Sequence, residues 1–290
     1  MEDVMTFKAA AIQMRSGVDP VKNAADMERL VRAAAAEGAV YVQTPEMTGA
    51  IQKDRQALRA QLRDDDGDII VATAARLARE LGIHVHVGST AIARTDGKIA
   101  NRGFLFAPDG SRICSYDKIH MFDVDLDNGE SWRESAAYEP GVEARVAELP
   151  LAKFGFAICY DVRFPQLFRA EALAGAEVLT VPAAFTRQTG EAHWEILLRA
   201  RAIENGAFVI AAAQAGVHED GRETFGHSII IDPWGKVLAI AGGAGEEIIF
   251  AEIDTSLVAA ARGKIPNLRN SREFALDTVV PLKSAGGEAA

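Results

Sequence analysis

The stretch Lys153 to Pro165, KFGFAICYDVRFP, decides the reading of this chain. Phe154 to Ile158 is a short apolar and aromatic run of the kind that forms a buried strand. The run stops at Cys159, which is followed at once by Tyr-Asp-Val-Arg-Phe-Pro, with Pro165 suited to open a helix. A thiol on such a corner projects from a sheet end, where α/β proteins place their chemistry. The bland alternative is a small buried hydrophobe ending a strand, and for a lone cysteine that alternative wins. A working thiol needs a neighbouring base and a donor for the oxyanion formed on attack.

Working outward, candidates for both needs occur upstream, each just past an apolar run. Residues 39–43 read as a strand ending in Thr-Pro-Glu-Met-Thr-Gly, which puts Glu46 beyond a strand end. Residues 101–107 and 111–116 read as two strands flanking the Pro108-Asp109-Gly110 turn, and the second delivers Lys118. Taken singly, Glu46 is a solvated or capping carboxylate and Lys118 a surface charge. Three such residues at strand ends of one α/β architecture suit a joint role better than three accidents.

The rest of the chain supports that architecture. Residues 7–14 read as a strand, residues 20–37 as a helix capped by Asp19 and ended by Gly38, and residues 55–63 and 68–81 as two more helices. A strand at 83–88 carries His84 and His86 on one face, a pair without further ligands at recognisable spacing. After the cysteine corner, helix 164–174, strand 177–181, helix 191–204 and strand 208–213 alternate in βαβ fashion. Strands at 228–231 and 237–240 flank Asp232-Pro233-Trp234-Gly235, and a last strand occupies 247–253, so the sheet arrangement is mixed.

Residues 121–140 form a polar connection long enough to suggest function. Asp123, Asp125, Asp127 and Glu134 there mimic a calcium loop, but the required glycine falls at Asn128 and the flanks are not two helices. No metal site is therefore expected.

Bulk properties narrow the function classes. The 290 residues, 49% hydrophobic and 25% charged, suit a soluble globular protein with ample core. The N-terminus lacks signal-peptide character and no apolar run reaches transmembrane length, so a cytoplasmic protein with reduced Cys114 and Cys159 is expected. A net charge of −10 with scattered Lys and Arg argues against nucleic acid or anionic membrane as a partner, while a local basic pocket for a small acidic substrate stays open.

Around the three residues the sequence resembles the nitrilase, or carbon-nitrogen hydrolase, superfamily: TPEMTG around Glu46, YDKIHMFDVD around Lys118 and GFAICYDVRFP around Cys159. The resemblance runs from about Phe7 to about Arg272. It implies an αββα sandwich of mixed sheets in one domain (residues 7–275, with 276–290 a tail), a Glu46-Lys118-Cys159 triad, no cofactor, and assembly into homodimers or larger homo-oligomers. A second family glutamate maps onto Glu134 in WRESAAYEPG, and Tyr160 is implied to offer its backbone N–H to the oxyanion.

The segments AFTRQTGEAHWEILLRARAIENGAFVIAAAQAG and GHSIIIDPWG look most like the branch of deaminated-glutathione amidases and ω-amidases. The resemblance thus implies hydrolysis of a small acid amide. A carbamoyl amine or nitrile substrate for the same triad, or a catalytically silent scaffold, are the rival readings. For the acid end of a substrate, Arg163 and Arg187 are candidates, against ion pairing with Asp161 or Glu191. His193, at the start of a helix, either lines the site or packs that helix.

Overall fold

The computed structural model describes residues 5–126, 129 and 131–278 of the chain. Strands β1 (Thr6–Gln13), β2 (Tyr41–Gln43), β3 (His84–Ala93), β4 (Ile99–Phe106) and β5 (Arg112–Asp117) are followed by a small hairpin, β6 (Asp123–Asp125) and β7 (Ser131–Arg133). Then come β8 (Val146–Glu148), β9 (Lys153–Phe156), β10 (Val178–Thr180), β11 (Phe208–Ala211), a second hairpin of β12 (Ala215–Val217) and β13 (Glu223–Phe225), and finally β14 (Ile229–Ile231), β15 (Val237–Ile240) and β16 (Glu247–Asp254). The helices are α1 (Pro20–Ala36), α2 (Arg55–Gln61), α3 (Ile69–Leu81), α4 (Pro165–Leu173), α5 (Arg187–Asn205) and α6 (Ser256–Lys264).

Two six-stranded sheets result, in the orders β16-β1-β2-β3-β4-β5 and β15-β14-β11-β10-β9-β8. Each is mixed as expected: β1, β2 and β3 are parallel in the first, β9, β10 and β11 in the second, with antiparallel strands outside them. Alternation along β1 explains the layering. Phe7, Ala9 and Ala11 join the core shared with the second sheet, whereas Ala10 and Ile12 face the core beneath α1 and α3. Tyr41 of β2 stacks on Phe154 of β9 at 4.7 Å, and His86 of β3 meets Phe156 edge-on at 5.3 Å, so the sheets lie face to face. Phe168 of α4 and Trp194 and Leu198 of α5 are buried in the same core as β10 and β11. The layers are therefore α, β, β, α, each fully buried large side chain contributing about 1.5–3 kcal/mol.

Local chemistry sets the helix ends. The Asp19 side chain accepts from Val21 N and that of Asp68 from Ile70 and Val71 N, while Gly82 closes α3 at φ +67°. On α3, Ile70, Val71, Ala74, Leu77 and Ala78 make the buried stripe that meets Met27, Leu30, Val31 and Ala34 of α1. No helix among the described residues is long and apolar enough to cross a membrane.

Three expectations need correction. The strand expected to stop at Gly88 continues to Ala93, because Gly88 is there for close approach: a Cβ on it would meet Thr44 O at 2.2 Å. Helix α5 starts at Arg187, a turn before expected, because Gly190 lies inside it under the ring of Phe225, which a Cβ would meet at 2.2 Å. The connection after Lys118 is not irregular throughout, since β6 pairs with β7 and a 3₁₀ turn follows at Glu134–Ala136. Asp127 and Asn128 of the calcium-like motif, and the SAGGEAA end, lie outside the described residues.

Candidate active site

Glu46, Lys118 and Cys159 meet, but from two sheets and not one. Glu46 follows β2 and Lys118 follows β5, strands that run the same way and so end at the same end of the first sheet; Cys159 follows β9 of the second. The site is thus a seam between the sheets, where the loops after these strands meet.

The corner at Cys159 is conformationally unusual. Its φ is +53°, a left-handed geometry that costs a non-glycine residue on the order of 1–3 kcal/mol. What holds it is a bond from Cys159 N to Pro182 O (2.9 Å) and the carboxylate of Asp161, two residues on. Asp161 is fully buried and accepts at Oδ2 from Ile158 N (2.9 Å) and Tyr116 Oη (2.8 Å), and at Oδ1 from His120 N (2.9 Å) and His120 Nδ1 (2.7 Å). Tyr116 and His120 flank Lys118, two residues to either side. One carboxylate therefore ties the lysine segment to the cysteine corner across the seam.

At the centre, Glu46 Oε1 accepts from Lys118 Nζ (2.9 Å) and Asn101 Nδ2 (2.9 Å), and Oε2 accepts from Ala184 N (2.9 Å). Lys118 Nζ also donates to Glu134 Oε2 (2.9 Å) and Oε1 (3.1 Å), and Glu134 Oε2 accepts from Phe122 N (2.7 Å). The Cys159 thiol lines the same cavity as Glu46 and Lys118. Lys118 and Glu46 are both buried.

These contacts fix the charges. Burial works to raise Glu46, but the Lys118 charge and the hydrogen bonds from Lys118 and Asn101 outweigh it, so Glu46 stays below its ordinary value. Burial works to lower Lys118, yet the Glu134 and Glu46 carboxylates hold its ammonium well above the usual lysine range. Burial, then the Glu46 charge, push the Cys159 thiol well above its ordinary value. At rest the site holds a carboxylate, an ammonium and a neutral thiol.

The Tyr160 N–H, next after Cys159, has no acceptor among the described residues. A cavity of about 250 Å³ opens over the group, walled by Phe122, Trp132, Tyr138, Tyr160 and Phe185.

The other candidates fall elsewhere. Arg187 gives its guanidinium to Glu191 (2.9 Å) and Glu223 (2.8 Å) and does not line the cavity. Arg163 lies against the rings of Tyr160 and Phe185 and meets His193 Nδ1 at 3.3 Å, and neither lines the cavity. Asp161 is not the partner of Arg163. The acids of the calcium mimic diverge: Asp123 caps Ser135, Asp125 pairs with Arg133, and Glu134 turns to Lys118. His86 is a packed core residue whose Nδ1 shares a hydrogen bond with Tyr41 Oη at 2.8 Å. Two contributors escaped the sequence reading, Asn101 and Asp161; a polar side chain inside the run Ile99–Phe106 was the available signal for the first.

A family model described as carbon-nitrogen hydrolase matches residues 8–263. This chain belongs to the carbon-nitrogen hydrolase family. The hydrolase is 38% identical to a deaminated glutathione amidase of Yersinia enterocolitica, over 91% of this chain and 92% of that protein. It is 37% identical to a deaminated glutathione amidase of Synechocystis, over 91% and 97% respectively. The crystal structure of Nit3 from Saccharomyces cerevisiae, a nitrilase-superfamily member, superposes with a TM-score of 0.82 at 30% identity, covering 90% of this hydrolase and 95% of that chain. Family, fold and amidase-named relatives together make this a C–N hydrolase of amidase type.

Proposed function

We propose that the enzyme cleaves the C–N bond of a small acid amide, of the deaminated-glutathione or ω-amide type, through a thioester on Cys159. The observation that carries this reading is the Glu46 carboxylate, which accepts from Lys118 Nζ and lines one cavity with the Cys159 thiol. Glu46 takes the thiol proton as sulfur attacks the carbonyl carbon, which spares the enzyme an isolated thiolate. Negative charge then builds on the carbonyl oxygen, where Lys118 and the unused Tyr160 N–H stabilise it. Glu46 returns the proton to the departing ammonia or amine as the C–N bond breaks. Water, deprotonated by the same Glu46, attacks the thioester, releases the carboxylic acid and restores the thiol. Glu134 holds Lys118 in place throughout.

Names of the relatives support the acid-amide class. A screen for released ammonia or amine over dicarboxylate monoamides, deaminated glutathione, carbamoyl amines and nitriles tests it. Acid amides are expected to give the highest kcat/KM; a clear preference for a carbamoyl amine or nitrile contradicts the reading.

The same proposal includes cytoplasmic residence, which Cys114 and Cys159 support in remaining unpaired thiols. It also includes a homodimer or larger homo-oligomer. Exposed Ile196 and Ile203, seven residues apart on one face of α5, support that assembly together with neighbouring Trp234.

A further inference from the structure

This chain carries a net charge of −10, yet cations line its catalytic cavity. Lys53, Arg55 and, from the turn leading into β13, Arg222 all line it. Neither Lys53 nor Arg55 has a carboxylate partner among the described residues. The acids lining the same cavity are already matched: Glu46 and Glu134 by Lys118, and Glu223 by Arg187.

Arg222 is fixed in a particular way. Its Nε donates to Asp220 Oδ2 at 2.7 Å, its backbone N donates to Asp220 Oδ1 at 3.0 Å, and its guanidinium lies 5.6 Å from the Trp132 ring centre. One edge and one face are thereby used. The two terminal Nη groups form no hydrogen bond among the described residues, although the side chain is only 20% exposed. A fork immobilised with its donors unspent matches a carboxylate in geometry and charge. The fork is also close to the chemistry, because Arg222 lines the same cavity as Glu46, Lys118 and Cys159.

We propose that Arg222 reads a carboxylate at the end of the substrate remote from the scissile amide, with Lys53 and Arg55 drawing that end into the cavity. This rests on the acid-amide reading above and names the group that enforces it. The ion pair with Asp220 orients Arg222, and Lys53 and Arg55 supply the surplus positive charge that balances the incoming anion.

The test compares succinamate and glutaramate with butanamide and pentanamide, which replace the carboxylate by a methyl group. The readout is the kcat/KM ratio of acid to neutral amide by ammonia release. Wild-type enzyme is expected to favour the acid amides. Arg222→Gln is expected to lower the ratio on the order of 10- to 100-fold, and Arg222→Lys to recover part of it. Should Arg222→Gln fail to fold, the Lys53→Gln/Arg55→Gln variant reads the same ratio. It is expected to lower the ratio several-fold, more at low ionic strength than at high. An Arg222→Gln enzyme that loses both activities in equal proportion, keeping the wild-type ratio, overturns this inference and leaves the acid-amide reading standing. A wild-type enzyme that shows no preference for the acid amides overturns both.

Discussion

At Cys159 the resting chemistry follows from burial and two charged neighbours, Glu46 and Lys118. Burial and the Glu46 charge hold the thiol protonated, so in the proposed mechanism attack is coupled to proton transfer onto Glu46, and Lys118 meets the oxyanion. Replacing Lys118 by Met is expected to lower kcat on the order of 10²- to 10³-fold in steady-state assays. Wild-type turnover in that variant would remove Lys118 from the mechanism. The pH profile gives a second check. Glu46 is held below its ordinary value of 4.5, so the base stays ionised as pH falls and the acid limb of kcat/KM is expected below pH 4.5. Asn101→Ala removes one of the donors that hold it down and is expected to move that limb upward. A limb that stays fixed argues that another group sets it. Asp161 is a positioning residue: Asp161→Asn loses acceptor capacity for Ile158, Tyr116 or His120 and lets the lysine segment drift from the cysteine corner. Its kcat is expected to fall about 10- to 100-fold with KM little changed, whereas a role in folding alone lowers the unfolding temperature and spares kcat per folded molecule.

Elements were legible in the sequence wherever a pattern was carried by side chains. The alternation of β1, the capped α1 and α3, and the cysteine corner all stand close to their expected limits. The misses fall where tertiary packing overrides a local signal. Gly88 and Gly190 read as breaks because glycine favours turns, yet each sits inside an element where a neighbouring chain allows no Cβ. The site was legible as three strand ends, but which sheet each strand joins depends on long-range pairing that no local pattern encodes. Arg163 and Arg187 were proposed from closeness in sequence to the corner and its loops, whereas Arg222 comes from a hairpin far along the chain. One buried element carries its own prediction. Burial holds His86 in β3 neutral, with its pKa lowered from 6.5 to about 3. Between those values the unfolded chain takes up a proton and the folded chain does not, so stability is expected to fall as pH drops through this window, by up to about 1.4 kcal/mol per unit. Denaturant unfolding at pH 7, 5 and 4 should show that loss in wild type and a shallower one in His86→Gln; parallel slopes would exclude His86.

Across the whole molecule, placing the site in a seam explains why two sheets are needed. Gln43 of the first sheet accepts from Ala212 N at 3.0 Å and Gln13 accepts from Ser228 N at 3.0 Å, so side chains of one sheet lock the other in register. The base and the ammonium come from one sheet and the sulfur from the other, and relative slip of the layers would separate them. The exposed α5 face belongs to the same scale. On the proposed assembly through α5, Ile196→Glu with Ile203→Glu is expected to reduce the mass measured by light scattering to that of a single chain; a wild-type mass of one chain, or an oligomer mass unchanged by the substitutions, would contradict it.

The most direct test of covalent catalysis is rapid-quench peptide mapping by mass spectrometry during turnover of an acid amide. An acyl mass is expected on the peptide containing Cys159 and no adduct in Cys159→Ala, which should release neither ammonia nor amine. Release at the wild-type rate by Cys159→Ala, with no adduct on any peptide, would contradict it.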